Sequence, residues 1–109
     1  MRRVVILGST GSVGVQALEL ISEKPDEFDV VAIAAGGANP QLLAEQALDF
    51  KVELLAISRT TAVQDVQLAL YAAAQSRGWA QGEYTLPRIV AGPQAAEDAA
   101  RVPADVVLN

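Results

Sequence analysis

The chemistry open to this sequence lies in seven residues, Gly8-Ser9-Thr10-Gly11-Ser12-Val13-Gly14. Glycines spaced Gly-x-x-Gly-x-x-Gly let the backbone turn tightly and let a charged group come close. Followed by a helix, such a turn aims free main-chain N–H groups at an anion. The implied chemistry is binding of a phosphate or diphosphate. The amides of Thr10, Gly11, Ser12 and Val13 are placed to donate, and the hydroxyls of Ser9, Thr10 and Ser12 can add donors. Other catalytic equipment is scarce. The chain has no histidine and no cysteine, so it offers no imidazole base, no thiolate and no disulfide framework. Its 13 carboxylates are scattered, so no catalytic residue and no metal ligand is assigned.

Such a turn works only when a buried strand delivers it and a helix carries it away. Val4-Val5-Ile6-Leu7 is an unbroken apolar run, as in strands covered on both faces, and the first strand is expected over 3–7. The first helix runs from Ser12 to about Glu23, with Val13, Ala17, Leu20 and Ile21 expected on its inner face. Pro25 follows it. Phe28 to Ala35 reads as the second strand. Asn39-Pro40 then reads as N-cap and first helical residue of a helix to about Phe50, with Leu43, Ala47 and Phe50 inward. Val52 to Ile57 is the third strand, Ser58-Arg59-Thr60 its exit, and Thr60 or Thr61 can cap a helix to about Arg77 with Val63, Val66 and Leu70 inward. Gly78 to Pro87 reads as a surface connection in which Trp79 and Tyr84 pack locally. Arg88 to Ala91 is a fourth strand, Gly92-Pro93 opens a short helix to about Ala100, and Asp105 to Asn109 is a final buried strand. Strands alternating with helices predict an α/β fold, a Rossmann-like doubly wound parallel sheet truncated after about five strands.

At 109 residues the chain is one domain's worth. A net charge of −5 at pH 7, with no basic stripe, argues against a nucleic-acid partner. No apolar run is long enough to span a membrane, and Met1-Arg2-Arg3 leads directly into a strand without a leader sequence. A cytoplasmic protein is expected. The apolar run ending at Asn109 reads as the last residues of a central strand, so the chain is expected to be the front part of a longer protein.

Ligands on doubly wound sheets bind beyond the carboxyl ends of the strands, near the strand that carries the glycine turn. An NAD site usually holds an acid at the second-strand exit for the ribose 2′-hydroxyl. Here that exit is Ala35-Gly36-Gly37-Ala38-Asn39, and Asp26, Glu27 and Asp29 fall at the strand's other end. The missing acid permits a 2′-phosphate, and hence NADP. Arg59, at the third-strand exit, can approach that phosphate or stack on the adenine. Asn39 is foremost a helix cap, at an edge where it can also touch the ligand. Asn109 is expected beside the first strand's end, where a nicotinamide ring lies.

Val4 to Gly14, Pro25-Asp26, Phe28, Val30-Val31 and Ala35-Gly36 closely resemble the start of the 1-deoxy-D-xylulose 5-phosphate reductoisomerase family. Ala34 to Ala38 and Ala104 to Asn109 resemble its actinobacterial branch. The resemblance implies an NADPH-dependent enzyme of isoprenoid biosynthesis by the methylerythritol phosphate route. It would rearrange and reduce 1-deoxy-D-xylulose 5-phosphate to 2-C-methyl-D-erythritol 4-phosphate as a homodimer with Mg²⁺ or Mn²⁺. It implies that residues 1–109 are the N-terminal NADPH domain, and that the catalytic groups, the metal carboxylates and the C-terminal domains lie beyond Asn109. Carried over position by position, the NADPH contacts fall on Thr10, Gly11, Ser12, Val13 and Gly36; with Gly8, Gly14, Gly37, Asn39 and Arg59, read from the turn and the strand exits, these make up the expected cofactor-binding set. Many members carry Lys-Asn after the glycine matched by Gly36. Here Gly37-Ala38 stands there, which leaves Arg59 as the candidate for the 2′-phosphate. Two other readings remain: the NADP domain of another oxidoreductase, such as an aspartate-semialdehyde dehydrogenase, and a non-enzymatic dinucleotide-sensing module.

Overall fold

A computed structural model describes residues 1–79 and 85–109. Among them five strands form one sheet in the order β4-β3-β2-β1-β5, every pair parallel. The strands are β1 (Arg2–Leu7), β2 (Phe28–Ala35), β3 (Leu54–Ile57), β4 (Arg88–Ala91) and β5 (Val106–Leu108); the helices are α1 (Ser12–Ser22), α2 (Pro40–Asp49), α3 (Val63–Ser76) and α4 (Ala95–Ala100). From β1 to β4 each step moves one place along the sheet. Right-handed crossovers then put α1, α2 and α3 on one face. From β4 the chain returns past β3 and β2 to pair with β1, which carries α4 over the opposite face.

The core divides accordingly. On the three-helix face Val4, Ile6, Ile33, Leu55 and Ile57 meet Leu18, Ile21, Leu43, Val66 and Leu70. On the other, Val5, Val31, Ala32, Ala34 and Ala56 meet Ala95 and Ala99. Alanines on both sides of that second layer let a helix of six residues lie close to the sheet. Val31 and Ala32 face the same way although they are adjacent. The β1–β2 register explains this: Val4 pairs with Val30, but Val5 pairs with Ala32. Val31 is a bulge residue, and the alternation of β2 restarts beyond it.

Four expectations are corrected. The inner face of α1 is Gly14, Leu18 and Ile21, whereas Val13 and Leu20 are 70% and 66% exposed; the packing of Gly14, described below, sets the rotation. Strand β3 starts at Leu54, and Thr60–Ala62 form a 3₁₀ turn in which neither threonine caps α3. Gly92, at φ 123°, closes onto the end of β3 through its amide and Ile57 O (2.9 Å), so α4 starts at Ala95. Strand β5 is an edge here, so Val107 and Leu108 are exposed.

Half-buried Trp79 packs against the three-helix core and lies under the Arg77 guanidinium. Residues 80–84, half of the expected surface connection and including Tyr84, fall outside the described residues. No helix among the described residues is long and apolar enough to cross a membrane.

Candidate dinucleotide site

The end of β1 is fastened before the glycine turn begins. The amides of Gly8 and Ser9 both donate to Ala34 O on β2, at 2.8 and 3.0 Å. Gly8 then takes φ +73°, a left-handed conformation that costs a residue with a Cβ about 1–2 kcal/mol. The Gly11 amide closes the turn on Gly8 O at 3.1 Å. Gly14 has a different task. A Cβ there would lie 2.3 Å from Gly8 O and 2.7 Å from Ser9 Cα, so only glycine lets the first turn of α1 rest on the loop. At Gly11 a Cβ would meet only Gly8 O, at 3.4 Å. The chain's own packing therefore does not demand glycine at Gly11, whose outer side is open.

The amide accounting decides what this turn can do. Among the described residues, the N–H groups of Thr10, Ser12, Val13 and Gly14 donate to no backbone or side-chain acceptor. Thr10 is half-buried, Ser12 and Val13 are exposed, and Gly14 is buried at the foot of the helix. Free amides at a helix start, together with the positive end of the helix dipole, form an anion site. Two expected donors are withdrawn from the open side of the turn. The Gly11 amide is spent on the turn. The Ser9 side chain lies inside: the residue is 0% exposed, and its Oγ meets no hydrogen-bond partner.

A cleft of about 510 Å³ opens over the turn, lined by Gly8, Gly11, Ser12, Val13, Leu108 and Asn109 among others. That size suits a cofactor-bearing pocket. The exposed Val13 side chain forms an apolar wall, and β5 brings Asn109 beside the end of β1, since Leu108 pairs with Ile6. Two larger grooves, of about 760 and 850 Å³, lie between α1 and α2 and near Trp79. They lack the row of free amides that borders the smaller cleft.

The neighbouring strand ends complete the edge. Gly36 is exposed, and its carbonyl accepts from the Arg59 amide at 3.3 Å, which brings the exits of β2 and β3 together. Arg59 is exposed, and among the described residues its guanidinium pairs with no carboxylate. Gly37, at φ +99°, is buried, and a Cβ there would fall 2.6 Å from Ala62 Cβ. Its glycine serves packing. Asn39 caps α2, its Oδ1 accepting from the Leu42 amide at 3.2 Å. Asp29 lies level with Arg3 at the opposite end of the sheet, so no carboxylate of β2 faces the site. No group of three His, Cys, Asp or Glu residues that could hold a metal ion exists among the described residues.

Gln46 was not among the expected site residues. It is 6% exposed on α2, and its Nε2 donates to Ser9 O at 2.9 Å. Its Oε1 has no partner, which by itself costs about 1–3 kcal/mol. The available signal was a polar residue inside the apolar stripe Leu43, Ala47 and Phe50 of one helix face.

The family model for 1-deoxy-D-xylulose 5-phosphate reductoisomerase matches residues 4–109. The reductoisomerase of Cutibacterium acnes is 46% identical over 109 residues, all of this chain and 26% of the relative. That of Streptomyces coelicolor is 43% identical over 106 residues, 97% of this chain and 24% of the relative. The solved Zymomonas mobilis reductoisomerase in complex with NADPH superimposes with a TM-score of 0.78 at 28% identity, covering 97% of this chain and 24% of that one. This chain thus spans about a quarter of the length of the relatives it matches. It belongs to the 1-deoxy-D-xylulose 5-phosphate reductoisomerase family.

Proposed function

We propose that these 109 residues are the NADPH-binding part of an enzyme that rearranges and reduces 1-deoxy-D-xylulose 5-phosphate to 2-C-methyl-D-erythritol 4-phosphate in isoprenoid biosynthesis. The observation that carries this reading is the set of unspent amides of Thr10, Ser12 and Val13 at the head of α1, of which Ser12 and Val13 line the cleft. They hold the diphosphate. Gly8, Gly11 and Gly14 shape the loop so that it can approach, Gly36 leaves room for the adenosine ribose, and Arg59 meets the 2′-phosphate. Gly37 and Asn39 hold the β2 exit in shape. Val13 and Asn109 border the nicotinamide end. Family membership favours this reading over an aspartate-semialdehyde dehydrogenase or a dinucleotide sensor.

The cofactor when bound supplies hydride for the reduction. This chain's residues bind and orient it: charge is met by the helix start and by Arg59, and the apolar wall at Val13 excludes water from one side of the ring. The catalytic groups and the carboxylates for Mg²⁺ or Mn²⁺ belong to the remaining part of such an enzyme, a cytoplasmic homodimer.

Titration of the protein with NADPH and NADH tests the reading. Tighter binding of NADPH, by about tenfold or more, is expected; equal affinities would remove the 2′-phosphate assignment, and no binding of either would remove the function.

A further inference from the structure

We infer that Gln46 is a positioning residue for the diphosphate amides, an inference that rests on the reading of the turn as an NADPH site. The peptide bonds of the described residues are trans. In a trans peptide the C=O and the following N–H point in opposite directions from one plane. Gln46 Nε2, 2.9 Å from Ser9 O, fixes the direction of that carbonyl toward α2 and the interior. It thereby aims the Thr10 N–H outward, away from α2 and into the open side of the turn. The orientation of the Gln46 amide is set by the same contact, because a flipped group would place Oε1 against Ser9 O.

The rest of the turn needs such a clamp. Gly8 and Ser9 are tied to Ala34 through their amides, and Gly11 is tied to Gly8. The Ser9–Thr10 peptide has no other bond among the described residues, so nothing else in the turn selects which way its carbonyl and N–H face. Ser9 and Gln46 are both buried, each with one side-chain oxygen left without a partner. A buried amide that satisfies only half of its hydrogen-bonding capacity is poorly suited to stability alone. It suits the selection of one peptide orientation.

The test compares the whole protein with its Gln46→Met and Gln46→Leu variants, which stay close to the side chain's size and remove the donor. NADPH and adenosine 2′-monophosphate serve as probes. The second carries the 2′-phosphate and lacks the diphosphate. Wild-type binding of NADPH tests the underlying reading separately; its absence overturns that reading and this inference with it. Given wild-type binding, the expected result is an NADPH affinity lowered about tenfold, with that for adenosine 2′-monophosphate within about twofold. Unchanged NADPH affinity overturns the inference, and so does an equal loss for both probes, which marks a merely structural residue. Amide exchange on the unaltered protein gives a check free of substitutions. The Thr10 amide should exchange fast without ligand and be protected by NADPH. A slow Thr10 amide in the free protein places that N–H inward and overturns the proposal.

Discussion

A Cβ placed on Gly14 would lie 2.3 Å from the carbonyl oxygen of Gly8, so two glycines six positions apart hold a helix against a loop at a distance no other residue permits. This contact sets the rotation of α1. It brings Gly14, Leu18 and Ile21 inward and turns Val13 out toward the cleft.

Gly14→Ala should therefore unseat the helix from the turn. Alanine is about 1 kcal/mol better than glycine inside a helix. The clash is with backbone atoms that cannot step aside, and overpacking of this kind costs about 1–3 kcal/mol. The net expectation is a loss of stability together with loss of NADPH binding, read by thermal melting and titration. Gly11→Ala is the contrasting change. Its Cβ meets only ordinary contact inside the protein, so the melting temperature should hold while NADPH affinity falls.

Arg59→Ala should remove a charge from the 2′-phosphate and nothing from the fold. The side chain is exposed and unpaired among the described residues. The expected outcome is a drop in NADPH affinity of about tenfold, with NADH affinity unaltered and the ratio of the two approaching one. Raising the salt concentration should shrink the wild-type preference in the same direction, because exposed charges are screened.

Asn39→Ala should separate the cap from the ligand site. Loss of the Oδ1 bond to the Leu42 amide is expected to cost about 1 kcal/mol of stability, seen in urea unfolding. NADPH affinity should change by less than in Arg59→Ala, since the cap oxygen points into α2.

The sheet, the helices and the glycine turn were legible because each leaves a direct trace: an unbroken apolar run such as Val30 to Ala35, or an Asn-Pro start such as Asn39-Pro40. What escaped depends on contacts between distant segments. The inner face of α1 follows from Gly14 meeting Gly8, and the bulge at Val31 from pairing with β1. The exposure of Val107 and Leu108 follows from β5 lying at the sheet edge. Within the site, the string Gly8 to Gly14 announced anion binding. Only the hydrogen-bond accounting separates the spent Gly11 amide from the free ones at Thr10, Ser12 and Val13. Periodicity reads Leu43, Ala47 and Phe50 as a stripe and cannot tell that Gln46 reaches Ser9.

Arg3, at the end of β1 away from the site, ties the segment entering the shortest strand to β1, and its removal should loosen the strand that carries one wall of the cleft. Its amide donates to Asp105 Oδ2 at 2.8 Å, its carbonyl accepts from the Asp105 amide at 2.8 Å, and its Nε donates to Pro103 O at 3.0 Å. Its Nη2 also pairs with Glu53 at 3.0 Å, but both side chains are substantially exposed, so that pair is worth at most about 1 kcal/mol. The weight falls instead on the guanidinium contact to the segment entering β5, a strand of three residues with little pairing of its own. In Arg3→Ala the main-chain bonds to Asp105 persist, while the Pro103 contact and the Glu53 pair are lost. Global stability should fall by about 1 kcal/mol, whereas hydrogen exchange over residues 105–109 should rise well beyond that in β1 and β2. Because Asn109 rides on this strand, NADPH affinity should weaken by a few fold through the nicotinamide end, with adenosine 2′-monophosphate unaffected. Uniform acceleration of exchange across the sheet would instead mark Arg3 as a general stabiliser and detach β5 from the cofactor cleft.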